Sequence, residues 1–195
     1  MADSSFEPEI SLSLRMLSKE LGLVRMLSTG LAIECKKVSA SANLSFDMVK
    51  EHQEKGMTDA MCMPFVTKMR VSAAVGGGVS RFQQDTPFDF LLMPCAISYI
   101  LVNFRFTKKS PRKDITKGLN SCYAIPIYWY LHNKKELLKE GKKSMDIRYI
   151  DEASKQNSGV IQLERIRYET GVTPAGKTAY QYGWNLHPLV EAYIL

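Results

Sequence analysis

Residues 99–106 alternate so strictly that few architectures can accept them. Ile100, Val102, Phe104 and Phe106 fall on one face and Tyr99, Leu101, Asn103 and Arg105 on the other, the period-two pattern of a β-strand that turns polar toward its end. A second run continues the theme: Tyr123, Ile125, Ile127, Trp129 and Leu131 oppose Ala124, Tyr128, Tyr130 and His132, with Pro126 arguing for an edge strand or a bulge. Residues 31–38 and 65–75 add shorter strands, the second ending at Gly76-Gly77-Gly78. Near the C-terminus, residues 160–169 and 177–186 flank a turn rich in Gly and Pro, which predicts a β-hairpin. Its second arm lines up Tyr180, Tyr182, Trp184 and Leu186, read here as sheet packing rather than a base-stacking platform.

Helical signals frame these strands. Leu14, Leu17, Leu21 and Val24 recur at helical spacing over residues 11–29, and Gly30 follows as a stop, leaving residues 1–10 as a polar arm. Residues 46–55 predict a second helix closed by Gly56, and Asn133 a cap for a short helix over 134–140 closed by Gly141. With 195 residues, 45% of them hydrophobic, the chain supports one core. The expectation is a single α+β domain over 1–195: an N-terminal helix, a mainly antiparallel sheet and a C-terminal hairpin.

Charge narrows the functional classes. The net charge is +6, yet residues 105–148 hold twelve Lys or Arg against four acids, so that segment is +8 and the remainder −2. A field concentrated in this way attracts polyanions. Lys108, Lys109, Arg112, Lys113 and Lys117 lie in a basic loop, 107–120, and Lys134, Lys135, Lys139, Lys142 and Lys143 follow the aromatic run that contains Tyr128 and Tyr130. Cations flanking exposed rings are what single-stranded nucleic-acid binders use, charge tracking the phosphates and rings stacking on bases. These twelve residues form the expected site for RNA or DNA, in a protein expected to self-associate. The alternative is a viral-type, matrix-like structural protein whose basic face meets anionic lipid headgroups and which oligomerises.

Catalytic chemistry has little support. Gly171 to Thr178 matches the phosphate-loop pattern G-x-x-x-x-G-K-[ST], but the preceding segment is too charged for a buried parallel strand and the following one is aromatic and strand-like instead of helical. It is expected to be a turn, and a nucleotide-dependent enzyme is the least favoured reading. His52, His132 and His187 stand apart and the carboxylates form no pair, so no catalytic residue, metal or cofactor is assigned. Cys35, Cys62, Cys95 and Cys122 are widely spaced among apolar neighbours, which predicts buried free thiols in a reducing compartment. The acidic, polar first residues do not form a secretory signal, and the longest apolar run, residues 90–102, is shorter than the ~20 residues a bilayer requires. An intracellular location, cytoplasmic or nuclear, without a membrane span, is the expectation.

Overall fold

The computed structural model of the chain describes residues 6–21, 30–39, 42–62, 65–68, 90–93, 96–106, 120–172, 174 and 176–191. Strand β5 (Ile97–Arg105) lies at its centre, and it is apolar on both faces because both faces are covered. It pairs in parallel with β1 (Leu31–Val38), Leu31 opposite Ile97 and Val38 opposite Phe104. On its other side β6 (Asn120–Pro126) runs antiparallel, Arg105 opposite Asn120, and β8 (Ile161–Leu163) completes the order β1-β5-β6-β8 antiparallel to β6. Three antiparallel pairs accompany this sheet: β2 (Asn43–Ser45) with β7 (Ser144–Asp146), β3 (Phe65–Lys68) with β4 (Phe90–Met93), and β9 (Arg165–Val172) with β10 (Thr178–Trp184). The fold is α+β, mainly antiparallel, with the expected C-terminal hairpin.

The two faces of the sheet organise two apolar layers. Ile100, Val102, Phe104, Tyr123 and Ile125 meet helices α2 (Glu51–Cys62), α3 (Ile127–Lys139) and α4 (Ile147–Lys155), which contribute Met57, Ile127, Tyr130, Leu137, Ile147 and Ile150. Tyr99, Leu101, Cys122, Ala124 and Leu163 face the other way. They are covered by α1 (Phe6–Leu21), through Phe6, Ile10 and Leu17, and by the C-terminal residues Trp184, Leu186, Leu189 and Val190, the last two on α5 (His187–Glu191). The first and last described helices therefore share one layer.

Several expectations are corrected. The N-terminal helix begins at Phe6, inside the expected arm, because Phe6 and Ile10 extend the apolar stripe onto the sheet; residues 22–29 lie outside the described residues. The expected helix over 46–55 is a single 3-10 turn, Phe46–Met48, followed by α2, which runs through Gly56 because that glycine faces open space and interrupts no packing. The second alternating run is a strand only to Pro126. From Ile127 it is α3, with Pro126 at the N-cap and Asn133 inside the helix, its Nδ2 donating to the Trp129 carbonyl at 2.8 Å instead of capping. Pro126 thus marks the end of an inner strand. Of the strand expected over 65–75, Phe65–Lys68 is described. At the C-terminal side, Leu189 and Val190 are buried on the chain's own core. Cys122 is buried and Cys35 partly so, both free, but Cys62 is exposed at the end of α2, and Cys95 lies outside the described residues. Burial pushes the Cys35 thiol up to about 12 and the Cys122 thiol well above its ordinary value.

Polar groups inside this core are mostly matched. Ser98 Oγ donates to the Met57 carbonyl at 2.7 Å, and Asn103 Nδ2 to Asn120 Oδ1 at 2.7 Å. Tyr130 is an exception: its hydroxyl is buried with no hydrogen-bond partner among the described residues, beside Phe46 packed edge-on to its ring. A buried, unsatisfied hydroxyl costs about 1–3 kcal/mol. Tyr130→Phe is therefore expected to leave the stability unchanged or raise it by about 1 kcal/mol in urea denaturation, whereas a loss of 1 kcal/mol or more would mean that the hydroxyl has a partner.

Candidate functional site

The middle segment is delivered to the surface by α3 and the turn that follows it. Ile127, Tyr130 and Leu137 are buried, so the helix has one inward stripe, and Tyr128, His132, Lys135 and Lys139 occupy the exposed side at spacings of four, three and four residues. These four span twelve residues, about 16 Å of helix. Gly141 then ends the helix at φ 76°. Its N–H donates to the Leu138 carbonyl at 3.0 Å and that of Lys142 to Leu137 at 2.9 Å, the paired bonds of a Schellman cap, which favours glycine at this position. The cap turns the chain so that Lys142 and Lys143 continue past the end of the stripe into β7.

Beyond the turn, Lys142, Lys143 and Arg148 line a surface cleft of about 520 Å³ together with Tyr149, Asp146 and Glu152. Asp146 accepts the Arg148 backbone N–H at 2.9 Å and so caps α4. The Tyr149 ring packs on Trp129, centroids 5.8 Å apart and planes at 38°, and its hydroxyl donates to Asn133 Oδ1. The cleft wall is therefore a fixed ring beside three cations.

The expected site residues divide sharply. Lys135, Lys139, Lys142 and Lys143 are exposed, as is Tyr128. Lys139 pairs with Glu136 at 2.7 Å and Lys142 with Glu140 at 2.7 Å, both exposed pairs of little net strength, while Lys135 and Lys143 make no ion pair to a described residue. The Lys139 ammonium holds the Glu136 carboxyl below its usual range. Lys134 points elsewhere: its Nζ lies 2.5 Å from Glu54 Oε1 and 5.9 Å from the Tyr130 ring centroid, an internal tie between α2 and α3. Tyr130, expected to stack on a ligand, is a correction. It is 0% exposed because helical phase turns it into the core. Lys108, Lys109, Arg112, Lys113 and Lys117 lie outside the described residues; the segment that holds them is attached where Arg105 pairs with Asn120.

Two features escaped the strand reading. His132 joins the exposed stripe, and Tyr149 with Arg148 builds the cleft. The 128/132/135/139 spacing is the signal that finds the first of these once the run is treated as helical.

Gly171 and Val172 end β9, Thr178 opens β10, and Gly171 and Gly176 adopt φ 141° and 74°, so the phosphate-loop pattern is a hairpin turn with a strand after it. Among the described residues no group of three or more His, Cys, Asp or Glu is placed to hold a metal ion, and no helix is long and apolar enough to cross a membrane. No known protein family, curated protein or solved structure matches the chain.

Proposed function

We propose that this protein binds single-stranded nucleic acid without turning it over, laying the phosphate backbone along the track from Tyr128 through Lys135 and Lys139 to Lys142 and Lys143. The observation that carries this reading is the exposure of these cations: one face of α3 presents Tyr128, Lys135 and Lys139, and the glycine turn after it exposes Lys142 and Lys143, the latter two beside a cleft lined by an arginine and a second tyrosine. Lysines act on phosphate as point charges and need no exact geometry, which suits a flexible strand. The five cations of the 107–120 loop belong to the same proposal through the charge they add. Self-association belongs to it as well, supported by the outer edge of β1, which pairs with no strand among the described residues.

The test is the salt dependence of binding to a fluorescent dT20 strand. Each phosphate neutralised on a single strand contributes about 0.7 to the slope of log K against log salt. Substituting Lys135, Lys139, Lys142 and Lys143 together by Ala is expected to flatten the slope by about 3 and to weaken binding at every salt concentration. An unchanged slope overturns the track. Wild-type protein that ignores dT20 but binds phosphatidylserine vesicles, and loses them in the same variant, assigns the face to lipid instead.

A further inference from the structure

The β9–β10 ribbon carries a feature that the track does not explain. Tyr180 and Tyr182 are 47% and 50% exposed, on the face shared with Arg165 and Arg167. Each ring is covered on one side by a guanidinium: the Arg165 carbon lies 4.3 Å from the Tyr182 centroid, and that of Arg167 4.2 Å from Tyr180. The two units repeat every second residue, about 6.7 Å along the strand. At its base the ribbon is fixed. Trp184 is buried, its backbone N–H donates to Ser13 Oγ at 2.7 Å and its Nε1 to Glu9 Oε2 at 3.0 Å, while Arg165 reaches Glu9 Oε1 at 3.4 Å. No third strand joins the ribbon among the described residues.

We infer that this ribbon is a base-stacking arm on which single-stranded nucleic acid places successive bases over the Tyr180–Arg167 and Tyr182–Arg165 units. The inference rests on the nucleic-acid reading above and adds a second surface to it. Three observations favour this occupant. The rings leave area uncovered in an orientation that the guanidinium groups already hold, so little ordering is needed on binding. Planar guanidinium and phenol faces both stack on nucleobases, and every base offers such a face, so no sequence preference is required. The third is topological. Cys122 on β6 lies opposite Leu163 on β8, so the ribbon leaves the sheet at the end where Arg105 meets Asn120, and residues 105–119, which sum to +5, are attached there. A polyanion drawn to that end meets the ribbon.

Bases, not phosphates, must then carry the ribbon's share of the affinity. Wild-type protein is titrated with dT20 and with an abasic strand of equal length, which keeps every phosphate and loses every base. The abasic strand is expected to bind more weakly with the same salt slope, and Tyr180→Ala with Tyr182→Ala is expected to lose about 5- to 150-fold per ring on dT20 and nothing on the abasic strand. Tyr→Phe at both positions should restore binding, since the ring face and not the hydroxyl is used. Should the alanine variant fail to fold in a thermal melt, the abasic comparison on wild-type protein still decides. Equal affinity for the two strands, or full affinity in a folded alanine variant, overturns the stacking arm and leaves the lysine track standing. No binding to either strand at low salt overturns both, and equal competition by heparin assigns the ribbon to charge alone.

Discussion

A chain ending at Asn185 is expected to lose its cooperative fold at 25 °C. The cut removes Leu186, Leu189 and Val190, all buried against Phe6, Ile10, Leu101 and Leu163 on the outer face of the sheet. Each large apolar side chain contributes about 1.5–3 kcal/mol when fully buried, so the three together approach the 5–15 kcal/mol that stabilises a typical domain. It also removes α5, whose first turn is held by the His187 N–H donating to Asn185 Oδ1 at 3.1 Å. Thermal melting and sedimentation of the truncated protein give the answer. A folded chain with an unaltered melting temperature would show that the C-terminal residues are dispensable to the core, and that their cover comes from another molecule.

Trp184→Ala is expected to be the most damaging single substitution outside the central strand. The indole is 1% exposed and bridges the ribbon, α1 and the outer core layer. A cavity of this kind costs about 3–5 kcal/mol, and leaving the Glu9 carboxylate short of a donor adds to it. For a chain of this length that corresponds to a fall in Tm of roughly 6–20 °C. Trp184→Phe should recover part of it, because the ring refills most of the space but cannot donate to Glu9. A change below about 1 kcal/mol would mean that the ribbon is not coupled to the core through this residue.

The elements that were legible in the sequence are those whose information is local. Strand β5 announces itself by alternation, and the hairpin by the glycines that later adopt positive φ at 171 and 176. The α3 helix hid because Ile127, Tyr128, Trp129 and Tyr130 favour strands and prolong the alternation of β6. Its other signature, Ile127, Tyr130 and Leu137 inward against 128, 132, 135 and 139 outward, becomes visible only when the window is extended past Pro126. The parallel pairing of β1 with β5 had no local sign at all, because no turn joins them and the choice of neighbour is made by packing. The same division governs the site. Counting charges located the basic segment, but helical phase decides which members face water, and it placed Tyr130 in the core and Lys134 against Glu54 while aligning Lys135, Lys139 and Tyr128 outside. For the ribbon, the aromatic stripe was plain, yet sheet packing accounts only for Trp184 and Leu186.

The union of α1 and α5 in one layer bears on how the protein is made. Ser13 waits for Trp184, 171 residues later, and at synthesis rates of about 5–20 residues per second its partner emerges roughly 10–35 s after it. Throughout that interval the apolar stripe of Phe6, Ile10 and Leu17 has no cover, and β1 likewise has no β5 to pair with until the middle of the chain is complete. Closure of this outer layer therefore waits for the segment that holds Trp184. The nascent helix is a target for holding chaperones during that interval, and a ribosome that stalls before Trp184 leaves behind a sticky, unfinished chain rather than a smaller working one.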